Sequence, residues 1–155
     1  MKNKALLIVL CFTLFIVSAC CVKREQNSNI EKFYLEDKYY NKGIFINVDS
    51  DTLSKIKDEN YVLFTYNNYC SLNSSCKDIF ADFMKKHSID FLSIPFDEFK
   101  KTELHDTVKY APSVVVVEKG KIITYLDAES DADLKIYEST LEFEKWLNKY
   151  IYLSK

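Results

Sequence analysis

Apolar residues fall along the chain in short blocks whose period changes from block to block. Ala5 to Val17 is an almost unbroken apolar run behind Lys2 and Lys4, interrupted only mildly by Thr13. Residues 21–32 are polar and aperiodic, which reads as a tether. Phe33 to Tyr40 is rich in aromatics and is expected to pack at a domain edge. Ile44 to Val48 reads as a short strand, with Asp49 or Ser50 capping a brief helix near Leu53 to Asp58. Tyr61 to Tyr66, aromatic and branched throughout, reads as a buried strand. Cys76, Ile79, Phe80, Phe83 and Met84 then follow the spacing of one helical face, opposite Lys77, Asp78, Asp82, Lys85 and Lys86. Ser74 or Ser75 is the expected cap of that helix.

Ile89 to Ile94 predicts a further strand, ended by Pro95, and a charged helix is expected from about Asp97 to Lys109. Ser113 to Val117 and Ile122 to Leu126, joined across Lys119-Gly120, predict an antiparallel hairpin. Ser139-Thr-Leu-Glu142 has the form of a capping box, and Leu141, Trp146, Leu147, Tyr150 and Ile151 are the expected buried face of the last helix. The order is strand, helix, strand, helix, strand, helix, strand, strand, helix. A βαβ half followed by a ββα half predicts an α/β sandwich on a mixed central sheet.

The first apolar run is well short of the roughly 20 residues that span a bilayer as a helix. With its basic start and the Val17-Ser18-Ala19-Cys20 sequence at its end, it looks like a lipoprotein signal peptide ending in a lipobox. Small residues suit the peptidase, and the Cys20 thiol is the atom that takes the lipid. The expected organisation is therefore a signal peptide over 1–19, a lipidated cysteine with tether and edge segment over 20–42, and one domain over 43–155. That arrangement places the domain at the extracytoplasmic face of a cell membrane, held by its lipid anchor. Lys2 and Lys4 leave with the leader, so 19 basic residues remain against 23 acidic ones, a formal charge of −4. A mildly acidic chain argues against a nucleic-acid partner.

The same division sorts the five cysteines. Cys11 goes with the leader, Cys20 takes the lipid, and Cys21 lies beside the anchor. Cys70 and Cys76 are the pair left to the domain, and an oxidising compartment favours a disulfide between them. Six residues apart on one helix, they would be separated by about 9 Å of rise and point to different faces. A bridge therefore requires residues 71–75 to fold back as a loop, with the helix starting near Ser75 and Cys70 remote from its N-terminus.

Three stretches resemble thioredoxin-like proteins: Tyr61-Val-Leu-Phe-Thr-Tyr-Asn-Asn-Tyr-Cys70, the Cys76-Lys77 pair at a helix start, and Lys109-Tyr-Ala-Pro112-Ser-Val-Val-Val-Val-Glu-Lys-Gly120-Lys121. The resemblance spans roughly residues 43 to 153 and implies a thioredoxin-like three-layer sandwich, with Ala111-Pro112 as a cis peptide facing the cysteines. It implies a thiol–disulfide oxidoreductase in which Cys70 attacks, Cys76 resolves, and Ala111, Pro112 and Tyr69 hold the substrate, a protein thiol or disulfide. Two features depart from the pattern. Five residues, not two, separate the cysteines, and the buried acid of the preceding strand is replaced by Phe64. A domain with a structural disulfide that binds a protein partner is the alternative reading.

Other chemistry finds little support. Asp127, Glu129, Asp131 and Asp133 alternate and Glu138 falls where a calcium loop places its last ligand, but Ala132 stands where that loop needs glycine, so a hydrated acidic loop is expected. His87 and His105 match no zinc spacing with the cysteines and are expected at the surface. With two glycines in the chain there is no phosphate-binding loop. Neither a metal nor any other cofactor is expected.

Overall fold

The computed structural model describes residues 31–67 and 72–155, without the side chains of 72–75. The elements follow in the order β1 (Phe45–Asn47), α1 (Ser50–Lys55), β2 (Tyr61–Tyr66), α2 (Leu72–His87), β3 (Phe91–Pro95), α3 (Phe96–Phe99), β4 (Ser113–Glu118), β5 (Lys121–Asp127), α4 (Leu134–Tyr137) and α5 (Thr140–Leu147). The strands form a five-stranded sheet in the order β1-β3-β2-β4-β5. β2 is its centre, parallel to β3 and antiparallel to β4, with Leu63 opposite Leu92 on one side and Val115 on the other. A parallel neighbour on one side and an antiparallel one on the other make the sheet mixed, as the element order requires.

Strand alternation divides the core. Phe64 and Phe91 face α2 and α5, where Phe64, Phe80, Phe143, Phe83 and Phe91 form a continuous aromatic cluster with neighbouring centroids 4.6–6.1 Å apart. Leu63 and Thr65 face the opposite layer. The β4–β5 turn takes a hairpin form because Lys119 and Gly120 both adopt positive φ (47° and 75°). The Lys119 N–H donates to Asn60 Oδ1 at 3.0 Å. Gly43, at φ 69°, lies so close to the end of α2 that a Cβ there would strike the Met84 carbonyl.

Several expectations require correction. Asp49 caps α1, its Oδ1 accepting from the Thr52 N–H at 2.8 Å, so the helix spans Ser50–Lys55 and ends before Asp58. The helix expected from Asp97 to Lys109 is two pieces, α3 and a 3₁₀ turn over Glu103–Asp106. Phe99 and Val108 are both fully buried. Nine positions apart on one helix they would point to opposite faces. The break at Thr102, whose φ and ψ are −101° and 156°, lets both reach the core.

In α5 the buried face is Phe143, Trp146 and Leu147, while Leu141 is 57% exposed. The capping box is half formed: the Glu142 N–H donates to Ser139 Oγ at 3.4 Å, but the Glu142 carboxylate pairs with Lys145. The Phe33–Tyr40 segment packs more deeply than an edge strip, because Phe33, Leu35 and Tyr39 all enter the core. Phe33 bridges Ile151 and Tyr40 bridges Ile89, so the folded unit takes in residues ahead of 43.

Candidate functional site

β2 carries the chain to the end of the sheet where the site is expected. Tyr69 and Cys70 lie outside the described residues, as does Cys20. α2 begins at Leu72, so Ser74 and Ser75 belong to its first turn and are not its cap. Serine tolerates that turn because the N–H groups there need no intrahelical acceptor. The loop expected over 71–75 is thus helical from residue 72, and Ser71 alone separates Cys70 from the helix along the chain, so a Cys70–Cys76 bridge needs the chain to turn back ahead of Leu72 or the first turn of α2 to open. The N-terminal end of α2, where backbone N–H groups favour a thiolate, is correspondingly closer in sequence to Cys70 than the spacing suggested.

Cys76, one turn into α2, is 1% exposed and belongs to the core with Phe80 and Phe83 below it. Its neighbour Lys77 points the other way, with Nζ 5.5 Å from the Phe45 ring centroid and 6.0 Å from that of Tyr66. Tyr66, half-buried, also stacks on Phe64 at 6.0 Å. Phe64 is fully buried between Phe45 and Phe80, so the position of the missing acid is filled by an aromatic ring. The buried carboxylate of Asp90 cannot substitute for it. It accepts from the N–H groups of Lys42 and Ile44, ahead of β3 and therefore at the opposite end of the parallel strands.

The Ala111–Pro112 peptide is cis, as the resemblance implied. Pro112 is buried, Ala111 is partly exposed, and Tyr110 before them is 52% exposed. The Ser113 hydroxyl donates to the Tyr110 carbonyl at 2.7 Å and closes this turn.

Tyr137 was missed from the sequence. It is 4% exposed, its ring lies 6.0 Å from Phe80, and its hydroxyl stands 2.8 Å from the Pro112 carbonyl and 2.9 Å from that of Leu126. Burial holds its ionisation well above the ordinary phenol range, and a nearby Cys76 thiolate would raise it further, so the hydroxyl stays protonated. A lone aromatic closing an acidic stretch was the available signal. That stretch is also more ordered than a hydrated loop. Asp133 Oδ2 accepts from the Asp127 N–H at 3.0 Å, and Asp127 Oδ1 accepts from the Glu129 N–H at 2.9 Å.

The histidines lie outside this constellation. His87, expected at the surface, is largely buried against Phe83, with Nε2 3.3 Å from Glu144 Oε2. That distance allows ion pairing, but the alignment does not make a hydrogen bond. His105 packs edge-on to Phe96 and Phe99. A cleft lined by Leu53, Lys57, Tyr61, Leu104 and Gly120 lies at the other end of β2 and contains none of the expected site residues.

No protein-family model matches the sequence, and the search of curated proteins gives no match. Solved structures do match. Thioredoxin from Schistosoma mansoni is 15% identical with a TM-score of 0.52, the match covering 70% of this chain and 97% of that one. A thioredoxin from Nicotiana alata is 16% identical with a TM-score of 0.51, covering 71% and 94%. The reduced Schistosoma mansoni thioredoxin pre-protein is 14% identical with a TM-score of 0.50, covering 78% and 100%. At such identities the likeness is one of fold. The chain has the thioredoxin fold, an α/β sandwich on a mixed five-stranded sheet, with Cys76 buried on the helix that follows the central strand.

Proposed function

We propose that this chain is a membrane-tethered, extracytoplasmic thiol–disulfide oxidoreductase acting through Cys70 and Cys76. The observation that carries the reading is Cys76, buried on the inward face of α2 within a thioredoxin fold and next to Tyr137, which bonds to Pro112. In the reducing direction the Cys70 thiolate attacks a substrate disulfide, forms a mixed disulfide and releases one substrate thiolate. The Cys76 thiolate then attacks the Cys70 sulfur, closing Cys70–Cys76 and releasing the second substrate thiolate. Two electrons pass to the substrate, and a dithiol reductant restores the pair. Ala111, Pro112 and Tyr69 would line the path of the substrate backbone.

One observation favours the second reading, a binding domain with a structural disulfide. Phe64 supplies no carboxylate for proton transfer beside the buried thiol. The reduction potential of the pair separates the two, measured by equilibration with glutathione and trapping of free thiols. A working oxidoreductase is expected between roughly −120 and −270 mV, whereas a value below about −300 mV marks a structural staple and would overturn the exchange reading.

The tether is proposed on the basic, apolar N-terminal run and the Val17–Cys20 sequence. The wild type is expected to take up a labelled fatty acid and Cys20→Ala to take up none. A wild type without label, or a variant labelled as strongly as the wild type, would overturn lipidation at Cys20.

A further inference from the structure

We infer that Tyr137 is a positioning residue: its buried hydroxyl ties the Pro112 carbonyl to the end of β5 and so fixes the Tyr110–Ser113 segment beside the helix that carries Cys76. That this segment receives substrate rests on the exchange reading above; the tie itself does not.

The argument begins with hydrogen-bond supply. The β4–β5 pairing ends at Ser113 opposite Asp127, so Pro112 lies just past the last pair of the ladder. A buried carbonyl there needs a donor from elsewhere, because leaving it unsatisfied costs free energy. Tyr137 supplies a proton shared between the Pro112 and Leu126 carbonyls, which ties the segment just past the ladder to a residue still paired within it. A phenylalanine would pack on Phe80 equally well and leave the Pro112 carbonyl without this donor.

The residue is itself anchored at its base. Asp133, which precedes α4, takes the Asp127 N–H on its carboxylate, and its own carbonyl accepts from the N–H groups of Ile136 (2.8 Å) and Tyr137 (3.3 Å). The ring is fixed by Phe80, which lies one helical turn beyond Cys76 on the same face. Tyr137 thus connects β5, the Pro112 segment and the inward face of α2. Burial first, and then the charge of a Cys76 thiolate, hold its ionisation above the ordinary phenol range, so the hydroxyl remains a donor.

The test compares the full-length wild type with Tyr137→Phe and with Tyr39→Phe. The second variant also deletes a core tyrosine's hydroxyl bond, to Glu59 at 2.9 Å, near the opposite end of the sheet. Amide hydrogen exchange at Ser113 and Asp127 is expected to speed up about five- to tenfold in Tyr137→Phe and to hold in Tyr39→Phe, the scale of one lost hydrogen bond. Unchanged exchange in Tyr137→Phe, or equal acceleration in both variants, would overturn the inference. The wild type gives an independent reading: the Tyr137 hydroxyl proton should appear as a slowly exchanging resonance, and its absence would also count against the tie. Insulin reduction driven by dithiothreitol addresses the substrate. If the wild type turns over, Tyr137→Phe is expected to raise KM roughly three- to tenfold with kcat within about twofold. A wild type that does not turn over sinks the exchange reading, while the exchange rates still decide the tie.

Discussion

Replacing Cys76 with serine is expected to abolish turnover on disulfide substrates and to leave the substrate covalently held through Cys70. At 1% exposure the Cys76 sulfur is closed to a protein disulfide arriving from solvent. On the proposed exchange reading its task is attack from within, on a mixed disulfide already formed at Cys70. Held on a rigid helix, a resolving thiol acts at an effective concentration far above that of any thiol in solution, so its loss should slow turnover by at least about 10²-fold. Serine is close in size, and the cost of burying its hydroxyl is about 1–3 kcal/mol, within the stability of an ordinary domain. The measurement is a non-reducing gel of the variant mixed with a disulfide substrate, expected to show an adduct that dithiothreitol dissolves. Cys70→Ser should give neither adduct nor turnover. A Cys76→Ser protein that turns over at the wild-type rate without an adduct would take Cys76 out of the chemistry and leave the binding-domain reading standing.

The same division between what packing decides and what chemistry decides runs through the comparison of sequence with structure. Tyr61–Tyr66 and the Ser113–Glu118 strand were legible because a central strand is buried on both faces and so carries a nearly continuous apolar run. Lys119-Gly120 was legible because the turn needs two residues at positive φ. The helix expected over 97–109 failed for the opposite reason. Its charge pattern fits a helix locally, and Lys100–Asp97 and Lys101–Glu98 pairs do form across the C-terminal end of α3. The need to bury both Phe99 and Val108 against one sheet then breaks it, a demand no local pattern contains.

Ser74 and Ser75 misled because serine suits both the cap and the first helical turn. Tyr137 stayed hidden because its role depends on where the ladder ends and which carbonyls that leaves over, a property of register. Cys76 and the Ala111–Pro112 pair are expected at a site only through a resemblance, since each taken alone is a buried thiol or a turn. What the sequence could not supply was the group that links them.

Phe80→Ala should be the most damaging single change to stability, by about 3–5 kcal/mol. Phe80 is fully buried, 5.4 Å from Phe64 on the central strand, 4.6 Å from Phe143 on α5 and 6.0 Å from Tyr137 on α4. The ring therefore fills the space where three separately formed elements meet, and none of them can close the cavity without abandoning its contacts with the other two. Urea unfolding would report it as a midpoint lower by roughly 1.5–2.5 M with little change in slope, given a slope of about 2 kcal/mol per M for a small domain. Leu141→Ala, on the exposed side of α5, is the matched control and should stay within about 0.5 kcal/mol. A Phe80→Ala midpoint within about 0.5 M of wild type would mean that the aromatic layer collapses around the gap. The ring contact that seats Tyr137 would then be softer than its burial implies, and Tyr137→Phe and Phe80→Ala should in that case loosen the Pro112 segment to different extents. If Phe80 is instead the rigid centre of that layer, the folded fraction of Phe80→Ala should show the same accelerated exchange at Ser113 and Asp127 as Tyr137→Phe, because the hydroxyl is held in place only as firmly as the ring behind it.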